Sequence, residues 1–230
     1  IFESGDIEKG FKKCAYIFED KVEFGGQEHL YLETQGAIAI PLEGNNLRII
    51  SSTQNPTAVQ KVTAAILGIS NHSIEVDVLR LGGAFGGKED QANAWAAIAG
   101  LAAFKTKKPV KLILERAEDM KMTGKRHPYS IDYKIGFGKD YKIIAYEVMF
   151  YQNAGAAADL SPAVLDRTLF HCNGSYYIPN LKAAGYSCKT NLPPNTAFRG
   201  FGAPQGIFAI ESAIFKSANK LGISPQKIQK

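Results

Sequence analysis

The chain has 230 residues, of which 45% are hydrophobic and 21% are charged, and its formal net charge is +5. This composition is typical of a soluble globular protein, and the scattered basic residues give no support for nucleic-acid binding. No apolar run approaches the roughly 18–20 residues that span a bilayer. The three cysteines are far apart, which argues against a disulfide framework or a zinc or iron–sulfur site. We therefore expect a cytoplasmic protein without nucleic-acid or membrane partners.

Strands and helices are predicted in an irregular order along the chain. Strands are expected over 14–24, 30–40, the alternating run after the turn at 43–46, 73–81 and 109–115, and as a hairpin over 129–137 and 142–151. Helices are expected over 56–68, 91–104, 161–171 and 205–222, and the second of these should be buried on nearly all faces. Because strands and helices do not alternate regularly, the predicted class is α+β, with mixed sheets and packed helices.

The two ends predict a piece of a longer polypeptide. Residue 1 is Ile, and Ser224-Pro225 predicts a helix start with only five residues left to follow. A possible boundary between two parts of the chain is expected near residues 150–160.

A glycine-rich segment joins a predicted strand to a predicted helix. Gly82 to Lys88 has the G-x-x-x-x-G-K spacing of a phosphate-binding P-loop, but Glu89 stands where that motif needs a Ser or Thr for magnesium. Nucleotide binding is therefore disfavoured. A tight structural turn is one alternative, and a loop that brings backbone amides close to another bound group is a second.

Several motifs of the chain occur together in one known family. They are GGQEHLYLET (25–34), STQNP (52–56), GGAFGGKE (82–89), ERAEDM (115–120), GKRHPY (124–129), YYIPN (176–180) and NLPPNTAFRGFGAPQG (191–206). This set resembles the molybdenum-binding part of the xanthine dehydrogenase and aldehyde oxidase family, from about Gly5 to the end. The resemblance implies that residues 1–230 form the N-terminal part of a molybdopterin-binding domain, with the fold of the molybdenum hydroxylases.

The resemblance also implies residues that surround the cofactor without ligating the metal directly. Gln27 should hydrogen-bond an oxygen ligand of molybdenum, and the Phe85 backbone N–H should face the oxo group. Gly83, Ala84 and Gly86 let that backbone approach, and Arg199 should contact the cofactor. Considered singly, Gln27 is an ordinary turn residue and Arg199 an ordinary ion-pair residue.

Three further side chains are expected to meet the substrate. By resemblance, Glu89 hydrogen-bonds a purine ring, Arg167 stabilises negative charge on a purine oxygen, and Phe201 packs against the flat heterocycle. The resemblance assigns catalytic roles to Glu89 and Arg167. Aldehyde-oxidising members typically have apolar residues at these two positions, so the pair favours oxidation of xanthine or hypoxanthine toward urate. Singly, the three residues fit a helix N-terminal acid, a surface residue and a core residue.

The resemblance leaves part of the machinery outside residues 1–230. The family's general base belongs to a downstream glycine-rich motif that this sequence does not contain. FAD and 2Fe-2S clusters are expected in other domains or subunits, and the complete complex is expected to be a homo-oligomer. The isolated piece should bind no molybdopterin stably and should be inactive. Another molybdenum hydroxylase, acting on an aldehyde or a different N-heterocycle, and a non-catalytic binding module remain as alternatives.

Overall fold

Two mixed β-sheets, each packed against helices, make up residues 1–229, the part of the chain that the computed structural model describes. The strands are β1 (Phe2–Ser4), β2 (Tyr16–Phe24), β3 (Gly36–Pro41), β4 (Leu47–Ser51), β5 (Ile74–Asp77), β6 (Val110–Ile113), β7 (Tyr129–Phe137), β8 (Ile143–Gly155) and β9 (Asn180–Lys189). The α-helices are α1 (Ile7–Lys12), α2 (Pro56–Leu67), α3 (Gln91–Thr106), α4 (Arg116–Met122), α5 (Ser161–Phe170) and α6 (Ala203–Leu221). This confirms the predicted α+β class.

The larger sheet has the strand order β1-β9-β8-β7-β2 and carries the larger hydrophobic core. Its neighbouring strands are antiparallel except for the parallel pair β8 and β9. Alternate residues of β7, such as Ile131 and Ile135, point into the core because side chains of a strand alternate between its two faces. There they meet the apolar stripe of α6, which includes Ile210 and Ile214.

The smaller sheet has the order β5-β4-β3-β6, in which only β4 and β5 are parallel. Helices α2 and α3 pack against it and form a second core with small side chains such as Ala39 and Ala99. Local signals define α2 at both ends. The Asn55 side chain accepts a hydrogen bond from the Ala58 amide at 3.1 Å, and Gly68 ends the helix with φ +66°.

Most predicted elements are present, but three predictions were wrong in part. The strand expected over 30–40 begins only at Gly36, and the one expected over 73–81 ends at Asp77. Helix α3 is not buried on nearly all faces, because Ile98 and Leu101 are 51% and 40% exposed. Elements β1, α1, α4 and β9 were not predicted. The possible boundary near 150–160 stays a prediction; β8 ends within that range, at Gly155.

Residues 30–35 are not a strand because side chains from α4 bond their backbone groups. The Arg116 guanidinium donates to the carbonyls of Tyr31 and Leu32 at 2.6 and 2.8 Å. The Asp119 carboxylate accepts from the Gln35 amide at 2.7 Å. Since these groups already have partners, no neighbouring strand is needed to satisfy them. Within residues 1–229, no helix is long and apolar enough to cross a membrane.

Candidate functional site

The segments around Gln27, Phe85 and Arg199 meet in the structure. The buried His29 Nε2 lies 2.7 Å from the Ala197 carbonyl oxygen, to which it donates because a carbonyl can only accept. Burial lowers the pKa of His29 and so favours the neutral form of its imidazole. A second contact joins the glycine loop, defined here as residues 82–87, to the same segment: the Arg199 amide donates to the Phe85 carbonyl at 2.9 Å.

The glycine loop has a backbone that only its glycines accommodate easily. Gly83 and Gly86 have φ of +94° and +99°, and Phe85 has φ +55° with half of its surface exposed. A Cβ at Gly86 would lie 2.9 Å from the carbonyl carbon and oxygen of Ala197. Within residues 1–229 the Phe85 amide donates to no protein acceptor. The loop therefore presents an unpaired backbone N–H next to the buried Ala84, and the role of this N–H toward a cofactor stays a prediction.

Lys88 holds the loop from inside and is not available to a phosphate. Its side chain is fully buried, and its ammonium donates to the Glu33 carbonyl at 2.8 Å and to Ser52 Oγ at 2.7 Å. Burial lowers the pKa of Lys88, while the nearby Glu33 carboxylate opposes that shift. Gln54 Oε1 accepts from the Gly86 amide at 3.0 Å. The P-loop interpretation therefore fails in the geometry as well as in the motif.

Arg126 connects Gln27 to Arg199. Its Nε donates to Gln27 Oε1 at 2.9 Å, and its Nη2 donates to the Arg199 carbonyl at 2.9 Å. The guanidinium lies 4.1 Å above the centre of the Phe198 ring. Gln27 and Arg126 also pair through their backbones as an isolated antiparallel bridge. Together with the contact between Arg199 and Phe85, these bonds bring Gln27, Phe85 and Arg199 into one cluster.

A cleft of about 310 Å³ opens beside this cluster. It is lined by Phe24, Gly25, Gln27, Arg126, Pro204, Gln205 and Phe208. Gln205 is 2% exposed, and its Oε1 has no hydrogen-bond partner within residues 1–229. The Nη1 atom of Arg126 is also buried and has no hydrogen-bond partner within residues 1–229. Buried polar groups without partners are rare in folded proteins, so these two atoms are unusual features of the residues that line the cleft.

Glu89 follows the glycine loop just before α3, in a partly buried and acidic environment. Burial raises the pKa of Glu89, and the charges of Asp90 and Asp159 raise it further. Burial also raises the pKa of Asp159, although its carboxylate accepts from Thr196 Oγ1 and from Gln91 Nε2 at 2.7 Å. The protonated form of Glu89 is therefore favoured more than in an exposed glutamate, which suits a group that donates to a ring nitrogen or oxygen.

Arg167 and Phe201 lie on neighbouring elements. Arg167 is exposed on α5 and forms no salt bridge within residues 1–229. The next residue, Thr168, donates from its Oγ1 to the Gly202 carbonyl at 3.2 Å, so α5 packs directly against the segment that carries Phe201. Phe201 is partly buried with φ +50°. No side-chain contact joins Glu89 to Arg167, and their substrate roles stay predictions.

Sequence reasoning assigned no role to several residues that organise the site, among them Gln54, Arg126 and Asp159. The first two lie in STQNP and GKRHPY, motifs that carried the resemblance without an assigned role. Asp159 lies in no motif that was singled out. The signal that marks Arg126 is its contact with Gln27. That contact joins residues 99 positions apart, so the sequence alone does not show it.

The residues present fit an anionic cofactor rich in acceptor oxygens. The Phe85 N–H has no acceptor, the Gln27 amide uses its oxygen toward Arg126 and keeps its NH₂ group unbonded, and the Arg126 charge has no acidic partner within residues 1–229. No cluster of three or more His, Cys, Asp or Glu side chains in the described part of the chain is arranged to hold a metal ion. The site therefore offers hydrogen bonds and positive charge but no direct ligand set.

Comparison with known proteins identifies the family. The family model of the molybdopterin cofactor-binding domain matches residues 1–230. The chain is 45% identical over 229 residues to xanthine dehydrogenase/oxidase of Gallus gallus, covering 99% of this chain and 17% of that protein. It is 44% identical over 229 residues to xanthine dehydrogenase of Dictyostelium discoideum, covering 100% and 17%.

Solved structures show the same fold. The aldehyde oxidoreductase of Desulfovibrio gigas superposes with a TM-score of 0.88 at 26% identity, covering 99% of this chain and 25% of that one. The carbon monoxide dehydrogenase of Oligotropha carboxidovorans superposes with a TM-score of 0.88 at 25% identity, covering 99% and 29%. The chain thus spans about a sixth of the length of the curated relatives it matches. With its whole length matched by the family model, the chain belongs to the molybdopterin cofactor-binding domain family, and its relatives here are xanthine dehydrogenases and other oxidoreductases.

Proposed function

We propose that this chain is the N-terminal part of the molybdopterin-binding portion of a xanthine dehydrogenase, which hydroxylates xanthine or hypoxanthine toward urate. The observation that supports it most directly is the chain of contacts that joins Gln27, Phe85 and Arg199: Arg126 bonds Gln27 and the Arg199 carbonyl, and the Arg199 amide bonds the Phe85 carbonyl. The identity of 45% to the Gallus gallus enzyme supports the same function.

Three groups of this chain would hold the cofactor. The unpaired Phe85 N–H and the unbonded NH₂ of Gln27 donate to acceptor oxygens, and Gly83 and Gly86 keep the backbone close by leaving no Cβ in the way. Arg199, exposed beside the glycine loop, adds positive charge. A bound molybdopterin would supply the redox chemistry of oxygen insertion, which these side chains cannot supply themselves.

Two side chains would give the specificity for an oxopurine. Glu89, with its raised pKa, exchanges a hydrogen bond with the purine ring. Arg167, which has no acidic partner within residues 1–229, stabilises negative charge that develops on a purine oxygen. Phe201 stacks against the heterocycle. Glu89 and Arg167 thus contact the edges of the planar substrate, and Phe201 contacts its face.

The remaining parts of the enzyme belong to the longer protein that we propose contains this chain. They are the general base, the FAD and 2Fe-2S domains or subunits, and the contacts of a cytoplasmic homo-oligomer. The chain on its own should retain no stoichiometric molybdenum and show no turnover. Molybdenum at one atom per isolated chain would contradict this part of the proposal.

The proposal is tested on the complete protein by comparing turnover of xanthine with turnover of an aromatic aldehyde. Glu89→Val should lower kcat/KM for xanthine by at least about 100-fold, because a pocket built to hydrogen-bond its substrate discriminates strongly once that bond is lost. Aldehyde turnover should survive. The matched control is Glu75→Val, which removes an exposed carboxylate from β5 and favours the strand; it should leave both activities unchanged.

The other outcomes separate the alternatives. Equal or greater wild-type turnover of the aldehyde would assign the protein to the aldehyde-oxidising side of the family, with Glu89 as a helix N-terminal acid. Absence of molybdenum and of both activities from the intact protein would favour a binding module that has kept the fold.

A further inference from the structure

The Arg126 guanidinium is a partly buried cation without a salt bridge in the described part of the chain. Its Nε and Nη2 donate to Gln27 Oε1 and to the Arg199 carbonyl, both at 2.9 Å, and its face lies 4.1 Å from the centre of the Phe198 ring. Burial lowers the pKa of Arg126, which reflects the cost of keeping the charge there. Two hydrogen bonds hold the guanidinium in place, and one of them is to the Gln27 side chain.

The contact with Arg126 determines which way the Gln27 amide faces. Arginine can only donate, so the atom of Gln27 that it contacts must be the amide oxygen. The NH₂ group then lies on the opposite side of the amide, away from the guanidinium. The backbone bridge, in which the Arg126 N–H donates to the Gln27 carbonyl at 3.0 Å, holds the two side chains next to each other.

We propose that Arg126 is a positioning residue that fixes the Gln27 amide as a hydrogen-bond donor toward the cofactor's oxygen and ties it to the backbone of Arg199. This inference rests on the proposed function, because it requires an acceptor oxygen in front of Gln27. Arg126 itself touches neither substrate nor reacting atoms in this role. It acts only through Gln27 and through the segment that carries Arg199.

Lysine cannot replace Arg126 in this role. The rigid fork of a guanidinium donates in two directions at once while its plane stacks on Phe198. A lysine ammonium keeps the charge but is a compact point donor that cannot stack flat. Arg126→Lys therefore separates the geometry from the charge.

The test is a double-mutant cycle in the full-length holoenzyme with Arg126→Lys, Gln27→Ala and both together. Arg126→Lys should lower kcat for xanthine about 10-fold with KM changed less than about 2-fold, since it removes orientation and not a substrate contact. It should also alter the molybdenum electron paramagnetic resonance spectrum of the partly reduced enzyme. The double variant should be no slower than Gln27→Ala, because residues that act through each other are not additive.

Arg116→Lys is the matched control. Arg116 also donates to backbone carbonyls, those of Tyr31 and Leu32, but it does not contact Gln27. Arg116→Lys should lower Tm without changing kcat or the molybdenum electron paramagnetic resonance spectrum. Wild-type kcat and spectrum in Arg126→Lys, or losses that multiply in the double variant, would overturn the inference while leaving the proposed function intact. Absence of molybdenum and of xanthine turnover from the wild-type enzyme would overturn both.

A second measurement covers the case in which Arg126→Lys fails to fold. Gln27→Glu places a carboxylate against the unpaired guanidinium, so Tm should stay the same or rise while kcat falls. Gln91→Glu is the contrast, because Gln91 Nε2 donates to the Asp159 carboxylate at 2.7 Å and a glutamate there would meet a like charge. Its Tm should fall. A drop in Tm for Gln27→Glu as large as that for Gln91→Glu would refute the contact on which the inference depends.

Discussion

Gly86→Ala tests whether the glycine loop depends on its close approach to the segment around Ala197. The added Cβ would lie 2.9 Å from the Ala197 carbonyl carbon and oxygen and 3.1 Å from the Phe198 nitrogen. All three are backbone atoms, which cannot rotate away as the end of a flexible side chain can. The φ of +99° at Gly86 is also outside the left-handed region that alanine tolerates.

Two matched substitutions divide the cost into its parts. Gly44 has φ +65° and Gly25 has no positive φ, and a Cβ at either position meets nothing within 4 Å. Gly25→Ala should therefore change the free energy of unfolding by less than about 0.5 kcal/mol, and Gly44→Ala should cost about 1 kcal/mol of left-handed strain. Gly86→Ala combines strain of about 2 kcal/mol with overpacking of about 1–3 kcal/mol, so it should cost about 3–5 kcal/mol.

Urea unfolding of the three variants, followed by far-UV circular dichroism and by the fluorescence of Trp95, measures these differences. In the complete holoenzyme, Gly86→Ala should also lower the molybdenum content, because displacement of the loop strains the bond between the Arg199 amide and the Phe85 carbonyl. If Gly86→Ala were no more destabilising than Gly44→Ala, the close approach of the two backbones would be wrong.

Three further substitutions test two buried ionisable groups, His127 and Asp119, and the partly buried Glu89. Burial lowers the pKa of His127 from 6.5 to about 4. The folded state is therefore destabilised as the pH falls through that range, by up to about 3 kcal/mol. His127→Gln should reduce this pH dependence in urea unfolding between about pH 7 and pH 4. Asp119→Leu leaves two donors without an acceptor: the Tyr31 hydroxyl and the Gln35 backbone N–H, both 2.7 Å from that carboxylate. Thermal unfolding should show that the free energy of unfolding falls by about 3–5 kcal/mol. The pKa of Glu89 is raised in the folded state. Its contribution to stability is therefore present below its ordinary pKa of 4.5 and is lost as the pH rises through the folded-state pKa. Glu89→Gln should be at least as stable as the wild type at neutral pH, and a clear drop in its Tm at that pH would contradict this.

The sequence predicts those elements whose signals are local. Helix α2 was predicted within one residue because Pro56 and Gly68 mark its ends within the segment itself. Strand β9 was missed because it forms by parallel pairing with β8, which begins 37 residues earlier, and its sequence NLKAAGYSCK does not alternate strictly. The wrong strand over 30–35 has the same kind of cause, since its backbone partners come from α4, more than 80 residues later.

The candidate site follows the same division. The glycine loop and Gln27 were predicted as site residues because their motifs are short and contiguous. Arg126 was not, because what marks it is a pair of contacts across 99 and 73 residues of sequence, to Gln27 and Arg199. A single sequence shows the residues that present a group to a ligand more readily than the residues that hold that group in place.

Lys88 shows why the loop resembles a phosphate-binding motif without being one. In both kinds of loop, glycines free the backbone amides to meet a bound group, and a lysine follows. Here the lysine turns inward, where its ammonium is fully buried and bonds the Glu33 carbonyl and Ser52. Its positive charge therefore stabilises the base of the loop and does not face a ligand. The unpaired Phe85 amide and the unbonded NH₂ group of Gln27 remain as the groups that can. Glu89 is then compatible with the loop, because no phosphate has to lie beside its carboxyl group.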